Sequence, residues 1–161
     1  MRKALNILVA EDCADDLFLL EIAFQKAGVS GRLHSVTNGA ETVDYLKGKG
    51  AYGDRAVYPF PDILLLDLNM PRLNGFEVLD WVRQDSDCKR LVVYVLSASA
   101  RESDVDRAYD LGANGYLVKP SGSHELVALV RALDQWHDFA RLPRARVCAE
   151  EEPASYMRLK S

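Results

Sequence analysis

The sequence predicts an α/β fold in which a doubly wound parallel sheet of five strands carries helices on both faces. Three observations support this fold class. Short apolar runs alternate along the chain with segments whose apolar residues recur at helical spacing. Two of the runs are apolar almost throughout, as strands buried on both faces are. The chain has 161 residues, of which 48% are hydrophobic and 27% charged, so it is long enough for one domain with its own core.

The first two strand–helix units precede a glycine-rich loop. The apolar run Leu5–Ala10 predicts the first strand, and the spacing of apolar residues over 15–27 predicts the first helix. Residues 32–36 predict a weaker second strand. Asn38 is a candidate N-cap for a helix over residues 41–46, because its side chain can accept a hydrogen bond from a backbone amide of the first turn.

Residues 47–61 (KGKGAYGDRAVYPFP) predict an inserted loop, since glycine, proline and aromatic residues dominate them. We expect Tyr52, Tyr58 and Phe60 of this loop to pack against the edge of the sheet. The later elements are predicted at 63–68 (strand), 75–84 (helix), 91–96 (strand), 101–110 (helix), 113–118 (strand) and 124–140 (helix). For five strands in this alternation the common flavodoxin-like order is 2-1-3-4-5.

We expect residues 1–140 to form the folded domain and residues 141–161 to form a C-terminal tail, or an arm that docks on a partner or a second copy. The tail loses the periodicity and mixes charges. The net charge is −4, which argues against binding to nucleic acid. No apolar run approaches the roughly 20 residues of a membrane helix, and the N-terminus lacks a signal-peptide pattern, so a cytoplasmic location is expected.

Acidic side chains follow the first and third predicted strands. Glu11 and Asp12 follow the first strand, and Asp67 ends the third. In the order 2-1-3-4-5 these strands are neighbours at the point where strand order reverses, which is where open parallel sheets bind ligands. Two like charges about 4 Å apart repel by roughly 4 kcal/mol at an effective dielectric of 20. Either some acids stay protonated or a cation lies among them, and oxygen ligands without a His or Cys cluster favour Mg²⁺ over zinc.

A hydroxyl and an ammonium group follow the other two strands at the same edge. Ser97 follows the fourth strand and Lys119 the fifth, and both side chains can bind phosphoryl oxygens. With a metal ion and a carboxylate nucleophile they predict an aspartyl-phosphate site. Each of these residues taken singly is more often a cap, turn or loop residue. Their placement at four strand ends on one edge favours the functional interpretation.

Four motifs carry a resemblance to a known family. They are VAED (9–12), LLLDLNMPRLNGFEVL (64–79), LSAS (96–99) and NGYLVKP (114–120). With these motifs the chain resembles a response regulator receiver domain of two-component signalling, from about Leu5 to Phe139. The hydroxyl position holds serine where many members have threonine.

The resemblance implies roles for the acidic residues and their neighbours. Asp67 would be the phosphoacceptor. Asp12 would bind Mg²⁺ directly and Glu11 through water, while Asp67 and the backbone carbonyl of Asn69 complete the metal site. Asn69 and Ser99 would flank the phosphoryl group and tune its hydrolysis.

The resemblance also implies roles for residues of the last two strands. Ser97 would hydrogen-bond the phosphoryl group and Lys119 would form an ion pair with it. Tyr116 would be an aromatic switch that turns inward as Ser97 moves. Pro120 is a candidate for a cis peptide bond after Lys119.

The function implied is that of a single-domain response regulator, since no output domain fits in the tail. It would be a phosphoacceptor rather than an enzyme, although it would assist its own phosphorylation and dephosphorylation. Its donor would be a sensor histidine kinase or a histidine phosphotransfer protein. It would signal through phosphorylation-dependent protein binding or a phosphorelay. The face formed by residues 101–139 would bind the target, and this face or the tail is compatible with a homodimer. The insert at 47–61 resembles that of a subgroup in which some members work with phytochrome-type histidine kinases.

Three other interpretations compete with this one. A haloacid-dehalogenase-type phosphatase also uses a strand-end aspartate with Mg²⁺, but it places a second acid where this chain has Asn69. A mononucleotide binder on the same sheet needs a phosphate-cradling loop after the first strand, and the acidic EDCADD stands there instead. A receiver that has lost phosphotransfer would not need the acid, hydroxyl and lysine set, which is intact here.

Overall fold

The structure, a computed structural model, describes residues 3–143, in which five strands and five α-helices alternate. The elements are β1 (Leu5–Ala10), α1 (Ala14–Ala27), β2 (Gly31–Val36), α2 (Gly39–Lys47), β3 (Ile63–Leu66), α3 (Gly75–Gln84), β4 (Val92–Ser97), α4 (Glu102–Asp110), β5 (Gly115–Val118) and α5 (Ser123–Phe139). The predicted tail lies outside the described residues from position 144 onward. Among the described helices, none is both long enough and apolar enough to cross a membrane.

The five strands form one parallel sheet in the order β2-β1-β3-β4-β5, which confirms the predicted fold class and strand order. In the register of β1 and β3, Ala10 lies beside Leu66, so both strands end at the same level. Ser97, the last residue of β4, pairs with Val118, the last residue of β5. The register therefore brings four strand ends together at one edge of the sheet.

Alternating side chains of the strands point into two separate cores. Leu8, Leu64 and Leu66 belong to the core covered by α2, α3 and α4. Ile7 and Leu65 belong to the core covered by α1 and α5. All four residues of β3 are at most 1% exposed, because this central strand is covered on both faces.

Two asparagines cap helices, Asn38 as predicted and Asn74 without a prediction from the sequence. The Asn38 side chain accepts a hydrogen bond from the Glu41 amide at 2.8 Å, which confirms it as the N-cap of α2. Asn74 caps α3 in the same way through the Glu77 amide at 2.9 Å. The third strand is shorter than predicted and ends at Leu66.

Residues 47–61, here called the aromatic loop, contain a 3₁₀-helix (Gly50–Tyr52) that the sequence did not predict. Tyr52, Tyr58 and Phe60 pack against the core on the α2–α3 side rather than only against the sheet edge, where the Tyr58 ring lies 5.7 Å from that of His34 in β2. The Tyr52 ring lies 5.0 Å from the ring of Tyr45 in α2 and 5.3 Å from that of Tyr58, measured between centroids. The loop is thus a packed element that extends α2.

Candidate functional site

The ends of β1 and β3 place three carboxylates together, as predicted. Glu11 and Asp67 are 4% and 6% exposed, whereas Asp12 is exposed. One carboxylate oxygen from each of the three lies within 4.8 Å of the other two. Together with Lys119 these residues form what we call the acidic cleft.

The β3–α3 connection fixes the orientation of Asp67. The Asp67 amide still bonds to the Ala10 carbonyl at 3.0 Å, one residue beyond the end of β3. The Leu68 amide donates to Asp67 Oδ1 at 2.8 Å, so Oδ2 is the oxygen that faces the cleft and Lys119. A Cβ at Gly75, the first residue of α3, would lie only 2.3 Å from the Asp67 carbonyl oxygen. A glycine is required there because the helix start touches the Asp67 backbone.

Lys119 is the cation of the cleft. Its amide donates to the Ser97 carbonyl at 2.8 Å, which continues the pairing of β5 with β4. Its Nζ lies 2.5 Å from Glu11 Oε2, 2.9 Å from Asp16 Oδ2 and 3.7 Å from Asp67 Oδ2. Among these three partners, Asp67 is the most distant.

Burial and hydrogen bonding shift the pKa values of Lys119 and Glu11 in opposite directions. Burial disfavours the charged form of Lys119, but hydrogen bonds to Glu11 and Asp16 outweigh it, and the pKa of Lys119 is raised. For Glu11, burial outweighs the hydrogen bonds from Lys119 and from the Cys13 amide, so its pKa is raised as well. The ammonium therefore stays charged, while the carboxylates around it repel one another.

A second set of polar groups lies at the ends of β4 and β5. Ser97 is fully buried, and its Oγ accepts a hydrogen bond from the Ser99 amide at 3.1 Å. The Ser99 hydroxyl donates to Asp104 Oδ2 at 2.6 Å, and the Tyr116 hydroxyl donates to the Ser99 carbonyl at 2.8 Å. Arg101 also donates to Asp104, from Nε at 3.2 Å. Ser97 and Tyr116, the predicted phosphoryl and switch residues, are thus joined through Ser99.

The acidic cleft fits a hard divalent cation by its donor chemistry. All the clustered donors of Glu11, Asp12 and Asp67 are carboxylate oxygens. Such a set suits Mg²⁺ or Mn²⁺ and disfavours a metal that prefers sulfur or imidazole. Within residues 3–143 it is the one such group of three or more His, Cys, Asp or Glu residues. The side chain of Asn69, whose carbonyl the resemblance assigns to the metal, is exposed two residues beyond Asp67.

One expectation at the site is wrong. No cis peptide bond occurs in residues 3–143, so the Lys119–Pro120 bond is trans and Pro120 is not a cis-proline here. The trans form is favoured for X–Pro bonds by about 0.5 to 1 kcal/mol. In this conformation the Lys119 ammonium still reaches Glu11.

Two residues of the site were not found from the sequence. Asp16, in the first turn of α1, contacts Lys119, and Asp104, in α4, binds Ser99. The available signal for Asp16 was its place in the first helical turn directly after the acidic end of β1, since that turn starts beside the same strand ends. No comparable pattern marks Asp104 among the many charges of α4.

Comparisons with known proteins find relatives that cover most of this chain. A family model described as "Response regulator receiver domain" matches residues 7–131. Response regulator Rcp1 of Synechocystis sp. is 33% identical over 140 residues, which cover 86% of this chain and 93% of Rcp1.

Three solved structures are similar in fold and in sequence. That of response regulator RPA3017 in red light signaling of R. palustris has a TM-score of 0.80 and 41% identity, over 87% of this chain and 99% of that one. The phosphorylated cyanobacterial phytochrome response regulator RcpA has a TM-score of 0.79 and 33% identity, over 88% of this chain and 100% of that one. The Mn²⁺-bound form of Rcp1 has a TM-score of 0.74 and 32% identity, over 86% of this chain and 98% of that one.

Proposed function

Because the chain belongs to the response regulator receiver domain family of two-component signalling, we propose that it is a single-domain response regulator that is phosphorylated on Asp67. The donor is the phosphohistidine of a sensor histidine kinase or of a histidine phosphotransfer protein. One observation carries this proposal. The oxygen Asp67 Oδ2 faces a cleft that also holds two further carboxylates and Lys119.

In the proposed transfer, Asp67 Oδ2 attacks phosphorus in line. A bond forms between Oδ2 and phosphorus while the bond between phosphorus and the donor imidazole nitrogen breaks, and the histidine leaves. The Leu68 amide holds Oδ1, which keeps Oδ2 aimed into the cleft. Lys119 moves toward the transferred group and neutralises one of its oxygens, and the Ser97 hydroxyl donates to another.

A divalent cation, Mg²⁺ in the cell, would be held by Glu11, Asp12, Asp67 and the Asn69 carbonyl, and when bound it would neutralise phosphoryl oxygens. The carboxylate donor set supports this assignment. So does the Mn²⁺-bound form of the relative Rcp1. Later hydrolysis of the acyl phosphate returns the protein to its resting form, and Asn69 and Ser99 control the access of water.

Phosphorylation changes the face formed by residues 101–139, which binds the target. When Ser97 turns toward the phosphoryl group, it releases the Ser99 amide, and the bond between Tyr116 and the Ser99 carbonyl changes with it. This rearrangement alters the surface of α4, β5 and α5, which then binds a separate protein or a second copy of the chain. The protein acts in the cytoplasm. Its similarity to RcpA and RPA3017 favours a phytochrome-type kinase as the donor.

Mass spectrometry tests the proposal. We expect the full chain, incubated with Mg²⁺ and acetyl phosphate, to gain about 80 Da, the mass of one phosphoryl group. An Asp67→Asn variant should gain nothing, while Asp80→Asn, an exposed aspartate of α3, serves as the matched control and should be labelled like the wild type. Equal labelling of the Asp67→Asn variant would remove Asp67 as the acceptor. Sustained turnover of a small phosphate ester would instead favour the phosphatase interpretation.

A further inference from the structure

Asp16 belongs to none of the motifs that carry the resemblance, yet it contacts the lysine of the site. Its Oδ2 lies 2.9 Å from Lys119 Nζ, whereas Asp67 Oδ2 lies 3.7 Å from the same atom. Both aspartates line one cleft of about 50 Å³. In the resting protein, therefore, Lys119 is bonded to Asp16 rather than to the acceptor.

The start of α1 holds Asp16 in this position. The helix begins at Ala14, and the amide of the preceding Cys13 donates to Glu11 Oε1 at 3.0 Å. Glu11 thus binds the helix start through one oxygen and Lys119 through the other. Asp15, the neighbour of Asp16 in the same turn, is exposed, and the three carboxylates within ion-pair distance of Lys119 do not include it.

The Lys119 ammonium has few N–H groups left for Asp67. An ammonium has three N–H groups, and two of them point to Glu11 and Asp16. A distance of 3.7 Å is too long for a hydrogen bond, so Asp67 receives only a longer-range attraction. The third N–H group remains for a phosphoryl oxygen, and the contact with Asp16 opposes the shift toward Asp67 that would bring it within reach.

We propose that Asp16 is a positioning residue that holds Lys119 away from Asp67 in the unphosphorylated protein and so slows phosphorylation. This proposal rests on the proposed function, in which Asp67 accepts the phosphoryl group. The contact with Asp16 stabilises the ground state and is broken on the way to the transition state, so it raises the barrier.

The test compares two variants that each remove one negative charge from the first turn of α1. Asp16→Asn replaces the charged partner of Lys119 by a neutral amide, and Asp15→Asn is the matched control with the same effect on the helix terminus. With Mg²⁺ and acetyl phosphate, we expect Asp16→Asn to be phosphorylated about two- to fivefold faster than the wild type, as expected for loss of a partly exposed ion pair. Asp15→Asn should stay close to the wild-type rate.

A double-mutant cycle separates positioning from simple removal of charge. In a Lys119→Met background, Asp16→Asn should no longer accelerate labelling, because the lysine that it restrains is absent. The conservative variant Asp16→Glu should restore the slower rate in the protein that retains Lys119. An acceleration that persists without Lys119, or an Asp16→Asn rate equal to that of Asp15→Asn, would overturn the proposal.

Failure of this inference can be told apart from failure of the proposed function. If the wild type is labelled, Asp67→Asn is not, and the two charge variants behave alike, only the role of Asp16 is wrong. A wild type that takes no label at all would overturn both.

Discussion

The acidic cleft and the aromatic loop are both built around one partly buried cation, but they treat it differently. In the cleft, Lys119 is shared by Glu11, Asp16 and Asp67, and no other cation among the described residues is within ion-pair distance of Glu11 or Asp67. In the aromatic loop, Arg55 donates to three backbone carbonyls, those of Tyr45, Leu46 and Tyr58, at 2.8, 2.8 and 3.3 Å.

The two regions differ in whether their charged and polar groups are fully paired. The cleft gathers like charges that a protein selected only for stability would separate. The loop instead satisfies the carbonyls at the end of α2 and buries the Tyr45 ring beneath its aromatic residues. We therefore expect substitutions in the cleft to change phosphorylation most, and substitutions in the loop to change the free energy of unfolding most.

The largest expected effect is that of Lys119→Met in the cleft. Loss of the ammonium that we propose neutralises a phosphoryl oxygen should lower the rate constant for phosphorylation about 10²- to 10³-fold, as loss of one transition-state donor does in enzymes. The measurement is the time course of the mass gain of about 80 Da with acetyl phosphate.

Lys47→Met is the matched control for that variant. Lys47 also binds two carboxylates, those of Asp85 and Asp87 at 3.0 and 3.3 Å, but it lies in α2 rather than in the cleft. Its loss should leave the rate constant within about twofold of the wild type. A comparable drop in both variants would mean that general destabilisation, and not the cleft, accounts for the loss.

The next largest effect is expected from Arg55→Met in the aromatic loop. Removal of three hydrogen bonds to backbone carbonyls should lower the free energy of unfolding by about 2 to 3 kcal/mol, measured by urea denaturation. Arg32→Met, which removes one exposed bond to the Ala56 carbonyl, should cost less than about 1 kcal/mol. The folded Arg55→Met protein should still be phosphorylated at the wild-type rate, and a large loss of rate would break the proposed division of roles.

A smaller effect concerns the pH dependence of stability and Tyr45, the α2 residue whose ring packs against the aromatic loop. Burial raises the pKa of Tyr45 from 10.0 to about 12. The folded state therefore keeps the phenolic proton longer than the unfolded state, and stability is lost as the pH rises from 10 toward 12. Between pH 9 and pH 11 this loss should be about 1 kcal/mol for the wild type.

Tyr45→Phe isolates that contribution. The variant loses the hydrogen bond to the Pro59 carbonyl, so it should be less stable near neutral pH by about 1 kcal/mol. Its denaturation midpoint should fall less steeply with rising pH. Plotted against pH, the midpoints of the variant and the wild type should converge above pH 10. Parallel curves over this range would show that Tyr45 does not titrate differently in the two states.

The smallest effect, and opposite in sign, is expected from Asp67→Asn without metal. Replacing one of the clustered carboxylates by a neutral amide relieves repulsion in the cleft, so the free energy of unfolding should rise by about 1 kcal/mol in EDTA at pH 7. Added Mg²⁺ should stabilise the wild type more than the variant, because binding to the folded state alone shifts the equilibrium. A variant that is less stable than the wild type in EDTA would contradict the view that the cleft holds unrelieved repulsion.

The fold was largely predictable from the sequence, because most of the predicted strands are apolar runs followed directly by polar residues. The apolar run of β3 and the polar residues that follow the strands required only the period of the side chains and the usual order of a parallel sheet. That order alone places Glu11 next to Asp67 and Ser97 next to Lys119. The convergence of these residues is a property of topology, and it does not depend on any particular rotamer.

Contacts between elements were not predictable in this way. The pairing of Asp16 with Lys119 joins α1 to the end of β5, and the pairing of Asp104 with Ser99 depends on how the β4–α4 connection folds. Several acids occupy similar positions on each helix, and only the packed structure selects one of them. The trans bond at Pro120 was also missed, because the expectation came from the family resemblance rather than from a feature of this chain.

The glycine at position 75 has a consequence for any attempt to redesign this protein. Because Gly75 has no Cβ, the first turn of α3 packs directly against the backbone of Asp67, the proposed acceptor. A partner that displaces the start of α3 would therefore press on the backbone of Asp67, and a graft of residues 67–74 onto another scaffold would have to carry this helix with it.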